Sequence, residues 1–315
     1  EVLEHLQVVF AEPSDASLRE SMALFWSSWH DLSPAPHSSA AKSQLLEASR
    51  SLADMFRHLG GQIDSLAVDI ENGIKATVGK VNLLAERVGF LNIEISRAIS
   101  RDEPVGDLMD RRDLLLDELT QLTGATVSYQ DEGTVKVSIG GIPLVDKQKV
   151  YELQSVQTPG GISFNVLTGP NETDKIALDK VTGSLGGHKT ARDEIVLKFK
   201  KQLDDMVLSV ARGINTIHST TEDGTPYMDF FEFEPGNILS TIKVNQAIID
   251  NPGLIRTGMI VSGEDADPLD GSIALAIADF IQGNNNEYLD QLEEDGQLDF
   301  LDGDFTDKWM GIVGS

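Results

Sequence analysis

Cysteine is missing from all 315 residues, which excludes a disulfide scaffold, a Cys-containing zinc site and a thiol nucleophile. Cationic residues are scarce: 25 Lys and Arg face 51 Asp and Glu, a net charge of -26. That balance argues against nucleic acid as a partner, because phosphate binding needs a cationic face, and against anionic membrane surfaces. It describes a solvated, self-repelling exterior that sets salt-dependent association. No apolar run approaches the roughly 18 residues that span a bilayer, and no secretory signal peptide with a basic start and apolar core is present.

Reactive constellations are equally scarce. His5, His30, His37, His58, His188 and His218 are scattered, and Gly186-Gly187-His188 has no second histidine at metal-ligand spacing. There is no P-loop, dinucleotide fingerprint or Gly-x-Ser-x-Gly elbow. The stretch Asp265-Ala266-Asp267-Pro268-Leu269-Asp270-Gly271-Ser272 fails as a calcium loop. Its third carboxylate falls one position late, a proline intrudes, and no Glu stands at the bidentate position. It reads as a loop whose Ser or Asp caps a following helix. Carboxylate pairs are too common in so acidic a chain for any one to mark an acid and base. No catalytic residue, cofactor site or metal site is expected.

What the chain does have is length of apolar period. From Ser43 to Ser100 the positions Leu45, Leu52, Met55, Phe56, Leu59, Ile63, Leu66, Ile70, Ile74, Val78, Val81, Leu84, Val88, Leu91, Ile95 and Ile99 step by three or four almost throughout. This predicts one long amphipathic helix, or two nearly collinear ones, reaching roughly 85 Å at full length. Gly60-Gly61 is the expected bend. A second helix is predicted from about Leu185 to Ser219, with Ile195, Phe199, Leu203, Met206, Val210, Ile214 and Ile217 on one face, as its antiparallel partner. Each stripe is expected to be intramolecular core, the alternative being an exposed subunit-binding face. The aromatic group Phe25, Trp26 and Trp29 reads as local packing.

Residues 124–182 read as β-structure, a small meander or half-barrel. Val150 to Val156, then Ile162, Phe164 and Val166 beyond Pro159-Gly160-Gly161, then Ile176 and Leu178, are its later strands. From 220 to 281 the pattern is mixed, closing on a helix over Gly271 to Gln282. Beyond the Asn284-Asn285-Asn286 break, Glu287 to Asp307 holds nine acidic residues and no Lys or Arg. It is interrupted by Leu289, Leu292, Leu298, Phe300, Leu301 and Phe305, and reads as a short acidic helix or a loosely held tail.

The most informative stretch is 107–145, where a charged helix runs directly into a hairpin. Leu108, Leu115, Leu119 and Leu122 have helical spacing. Asp107 lies four residues before Arg111, and Asp110 and Asp113 sit three apart on the wet side. Gly124 stops the helix. Val127 and Tyr129 alternate on one strand, Asp131-Glu132-Gly133 is the turn, and Val135, Val137 and Ile139 alternate on the return. The spacing puts Arg112 on the apolar stripe and Arg111 on its flank. A buried guanidinium must be paired, so Arg112 is expected to hold a structural ion pair or backbone carbonyls across the join. The alternative is a stem that snorkels to solvent.

That join resembles the FlgK family of flagellar hook-associated proteins. So do Leu6-Gln7-Val8-Val9-Phe10-Ala11-Glu12-Pro13-Ser14-Asp15, the aromatic cluster at 25–29, Gly183-Ser184-Leu185-Gly186-Gly187, Ala191-Arg192-Asp193-Glu194 and Ile214-Asn215 with Ile217-His218-Ser219. The resemblance implies an α+β, mainly α fold: a long antiparallel helical rod, flagellin-like, with a small β-rich insert facing outward from the shaft. The expected organisation is 1–123 for the first part of the rod and 124–182 for the insert. Residues 183–283 return the chain to the rod, and 284–315 form an acidic segment. The implied role is an extracellular, non-enzymatic junction between hook and filament, secreted without a cleavable signal peptide. Implied partners are a ring of like subunits, the hook protein, hook-associated protein 3 and a cytoplasmic export chaperone. The family's heptad-rich terminal segments are not seen, so a core fragment, monomeric by itself, is expected. A flagellin or hook-associated protein 3 shares the long helices. A carbohydrate-binding or enzymatic module on the β-insert is the alternative of a different class.

Overall fold

A stripe that repeats every three or four residues can be buried only if the backbone stays helical along its whole length. The computed structural model describes residues 14–158, 160–169, 171, 173–219, 221, 227–259 and 269–282. The expected acidic segment from Glu287 to Asp307 lies outside them. After a first helix, α1 (Ser14–Leu32), comes α2, a single helix of 62 residues from Ser39 to Ser100. Its stripe is buried at Leu45, Leu52, Phe56, Ile63, Ile70, Ile74, Val81, Leu84, Val88 and Ile95. The helix is continuous through Gly60-Gly61. Gly60 is a point of close approach, since a Cβ there would lie 2.8 Å from Leu239 Cβ, whereas one on Gly61 would meet nothing within 4 Å.

The chain forms two compact units. One holds residues up to Asp64 and from Phe199 on, and the other is Ser65–Lys198. In the second unit, α3 (Gly106–Thr123) follows α2 and ends at Gly124, whose left-handed φ of 65° lets its amide reach the Thr120 carbonyl. Next come β1 (Thr126–Tyr129), a 3-10 turn over Asp131–Gly133, β2 (Val135–Ile139), β3 (Ile142–Asp146) and β4 (Lys149–Val150). These make one antiparallel sheet in chain order. A second sheet is built from β5 (Glu152–Thr158), β6 (Gly161–Leu167) and β7 (Lys175–Leu178), again antiparallel in chain order. The single meander or half-barrel expected from alternation is thus two separate sheets. Alternation locates strands but carries no information on which strand edges pair. The chain leaves the sheets beside its point of entry, with the Thr182 amide on the Thr123 carbonyl.

From there the helical run resumes as α4 (Gly183–Thr190), a π-helical segment (Ala191–Val196) and α5 (Leu197–Ser219). The predicted stripe on α5 is buried at Leu203, Met206, Val210, Ile214 and Ile217. In the first unit α5 lies antiparallel to the first half of α2: Lys200 pairs with Asp64 while Lys42, at the other end, acts on His218. This unit is completed by β8 (Phe231–Glu232), α6 (Ile238–Thr241), β9 (Lys243–Val244), α7 (Gln246–Asp250), a 3-10 turn (Pro252–Leu254) and α8 (Ser272–Gln282). Phe25 and Trp29 of α1 meet Phe230 and Phe231 with centroids 5.1–6.4 Å apart, an aromatic core in tilted contacts. The fold is α+β and mainly α.

The two neighbouring glycines separate helix propensity from packing. Gly61→Ala should stabilise the protein by roughly 0.5–1 kcal/mol by reducing backbone freedom. Gly60→Ala should lower stability despite the same gain, because the new methyl meets the fixed start of the Leu239 side chain. Thermal melts of the two variants check the opposite signs.

Candidate functional site

The helix-to-hairpin join is built around Arg112. It is 2 % exposed, and its Nη1 donates to the Gly133 carbonyl at 2.6 Å. Nε and Nη2 reach Asp113 Oδ1 at 3.4 Å, and the guanidinium lies 5.7 Å from the Tyr129 ring centroid. Gly133 has a φ of 69°, and a Cβ there would press on Ile95, Ile99 and Met109, so the turn that presents its carbonyl needs glycine. Asp107, Asp110 and Arg111 are exposed. Asp107 and Arg111, four residues apart, form no ion pair among the described residues. The structure therefore brings Arg112 and Asp113 to the join and leaves the other three in solvent. The buried row of α3 is Arg112, Leu116, Leu119 and Thr123: Arg112 and Leu119 lie where the spacing put them, Leu116 and Thr123 take the places expected for Leu115 and Leu122, and Leu114 is 70 % exposed. Three successive leucines offer every face, so only the partner surface selects one.

Three asparagines that the sequence reading left without a role fasten the sheets to the helices. Asn92, fully buried on α2, donates from Nδ2 to the carbonyls of Val135 and Lys147, both at 2.8 Å, and accepts from the Val135 amide at 3.1 Å. Asn82, ten residues earlier, gives the same two-way grip to Leu153 on β5. Asn215 on α5 does so to Phe231 on β8. In each case one side-chain amide occupies the place of a neighbouring strand, satisfying an amide and a carbonyl that burial would otherwise strand. A signal existed: Asn92 lies four residues after Val88 and three before Ile95, squarely on the apolar stripe, where Leu91 was assigned instead.

The π-helical segment carries a second cluster. Arg192, 4 % exposed, donates through Nε and Nη2 to Glu71 of α2 and through Nη1 to Asp193 at 2.7 Å. Asp193 Oδ2 also accepts from Lys189 at 2.7 Å and from the Ile162 amide of β6 at 3.0 Å. Burial alone would raise the Asp193 carboxyl, but the bonds from Lys189, Arg192 and Ile162 outweigh it and hold it below the ordinary range. Inserting one residue into the helical turn is what aims Arg192 and Asp193 at two different elements. The motif at 191–194 entered the resemblance without an assigned role.

His218 closes the first unit. It is fully buried, its Nδ1 donates to the Met228 carbonyl at 2.9 Å, and its Nε2 accepts the Arg256 amide at 3.1 Å. Burial, together with the nearby Arg256 and Lys42 charges, lowers its pKa to about 4 against the pull of the Met228 bond, so the ring is neutral. Asp270 accepts from Ser272 and Met259 amides, both at 2.8 Å, and caps α8, as the loop reading expected for this position; 265–268 lie outside the described residues. Among the described residues no group of three or more acidic, His or Cys side chains could hold a metal, and no helix is long and apolar enough to cross a membrane.

Each of these clusters joins one structural element to another, on a fold that is α+β and mainly helical. The family description "Flagellar hook-associated protein FlgK helical domain" matches residues 3–231, and the chain belongs to that family. It is 26 % identical to flagellar hook-associated protein 1 of Bacillus subtilis, covering 80 % of this chain and 56 % of the relative. With the Escherichia coli protein of the same name it shares 28 % identity, over 87 % and 49 %. The chain thus spans about half the length of the curated relatives it matches. The fold superposes on the flagellar hook junction protein FlgK from Burkholderia pseudomallei with a TM-score of 0.66 at 22 % identity, covering 74 % of this chain and 43 % of that one.

The neutral, buried His218 sets a pH dependence. An unfolded histidine takes up a proton below its ordinary 6.5, while the folded one resists down to about 4. Its contribution is therefore complete above pH 6.5 and is lost as pH falls towards 4, about 3 kcal/mol in all. Urea midpoints between pH 7.5 and 4.5 should fall less steeply in His218→Gln than in the wild-type protein.

Proposed function

We propose that this chain is a structural subunit of the bacterial flagellum that joins hook to filament through axial packing. Membership of the hook-associated family over residues 3–231 is the observation that carries the reading. The scaffold geometry supports it: a 62-residue helix with long apolar stripes suits load-bearing contact better than turnover. On this reading the role is structural rather than catalytic, and the protein works outside the cell after export. It assembles with copies of itself, with the hook protein and with hook-associated protein 3, and has a chaperone in the cytoplasm before export. Nucleic acid and membrane surfaces are not partners of so acidic a chain.

Within that role the stretch Asp107, Asp110, Arg111, Arg112 and Asp113 is the join that keeps the hairpin fixed on its helix, with Arg112 as the clamp and the three exposed residues keeping its outer side solvated. Asp113 is half exposed, so the ion pair adds little. The Gly133 carbonyl and the packed stem supply most of the stabilisation, about 2 kcal/mol.

Two experiments test these statements. Arg112→Ala should lower the melting temperature by several degrees, and a change within about 1 °C would remove the clamp. Immunogold labelling of intact flagella with antibody raised against this chain should give one narrow band where hook meets filament. Gold along the whole filament would make it a flagellin. Flagella without gold would return the sheets to consideration as a separate binding module.

A further inference from the structure

The second unit leaves an apolar surface uncovered between two of its helices. Phe90 of α2 is 60 % exposed and Leu114 of α3 is 70 % exposed. With Leu91 and Leu115 they line an open groove of about 530 Å³, where α3 runs back along α2 after the Lys80–Glu118 pair. Large apolar side chains gathered in one place in contact with water are informative in a way that a single exposed leucine is not. Covering a Phe or Leu of this kind is worth roughly 1.5–3 kcal/mol.

Charge on the rim narrows the occupant. Glu86, Arg87 and Arg111 complete the lining. Arg50, Arg57, Arg112 and Arg192 each hold a carboxylate, whereas Arg87 and Arg111, like Arg97, Arg101 and Arg212 elsewhere, have no ion pair among the described residues. In a chain with twice as many acids as bases, two unspent arginines beside an apolar floor call for a ligand that brings both carboxylates and large apolar side chains. The sequence contains such a stretch: Glu287 to Asp307, with nine acidic residues, no Lys or Arg, and Leu289, Leu292, Leu298, Phe300, Leu301 and Phe305 between them.

We propose that the groove between α2 and α3 takes the acidic, leucine- and phenylalanine-bearing segment 287–307 of a second copy of this chain. Two copies at a charge of -26 repel each other, and a local contact of opposite sign at Arg87 and Arg111 is what lets them approach. One short segment on one groove gives a dissociation constant on the order of 100 µM, so the free chain stays monomeric when dilute. Copies held side by side in an assembly face one another at millimolar effective concentration, and there the groove is filled. Only this last step rests on the reading of the chain as an axial subunit.

The test titrates a fluorescein-labelled peptide of residues 287–307 with the whole chain and reads fluorescence anisotropy. At about 50 mM salt, saturable binding is expected, weakening severalfold at about 500 mM. The pair Phe90→Ser with Leu114→Ser, and separately the pair Arg87→Glu with Arg111→Glu, should each weaken it about tenfold. All four side chains are exposed, and unchanged melting temperatures would show that the variants fold. No binding, or equal binding by either variant, overturns the proposal. So does equal binding of a peptide whose Asp and Glu are replaced by Asn and Gln, which would assign the groove to an uncharged partner. The titration reads the groove wherever the protein sits on the flagellum, so its failure leaves the junction reading standing, and failure of the junction reading leaves the titration valid.

Discussion

Buried backbone must be hydrogen-bonded, and the sheets of this protein are too small to meet that requirement alone. Four, three and two strands leave edges that in a larger sheet would be paired to further strands. Asn82 and Asn215 supply partners to the edge strands β5 and β8 from helices, and Asn92 does so at the start of β2, before its pairing with β3 begins, each returning one donor and one acceptor to a single strand residue. An amide does both at once from two separate atoms, its nitrogen donating and its oxygen accepting. Each grip fixes the strand's position along the helix as well as its edge, because only one residue of the strand can be held.

Charge is handled by the same logic. The protein has acid to spare, yet its buried arginines are not simply matched to the nearest carboxylate. Arg112 uses a backbone carbonyl and an aromatic ring, with Asp113 only at long range. Arg192 takes two carboxylates, and the π-helical turn is the device that lets one of them reach on to β6. A buried charge stripped of its partners would cost several kcal/mol. These positions are therefore where the order of elements is most strictly specified, and His218 achieves the same fastening by remaining neutral.

On the proposed reading, these fastenings suit a subunit that keeps its shape under load. Among the described residues the buried arginines and asparagines are held by other elements of the chain, while Phe90, Leu114, Arg87 and Arg111 meet at one open groove.

The helices were legible because their signal is local. Period in α2 and α5 requires only that apolar residues recur faster than polar ones interrupt them, and Gly124 stops α3 through its own left-handed backbone. The strands were legible from alternation, and the turn at Asp131-Glu132-Gly133 from its composition. The division into two sheets was not, since pairing depends on which edges meet. Nor was the rotation of the buried face of α3, where Leu114, Leu115 and Leu116 are interchangeable until a partner surface chooses Leu116. Asn92 was read past because an amide on an apolar stripe becomes meaningful only when a strand's amide and carbonyl face it. Sequence by itself thus determined the long stripe of α2, the stripe of α5, the Gly124 stop and the placing of Arg112 on the apolar side of α3, all of which follow from spacing along one chain; α1 and the short elements between 227 and 254 were not read from it. Tertiary structure alone decided which strands pair, which helix face is core and which polar side chains are structural, because those depend on what lies opposite in space.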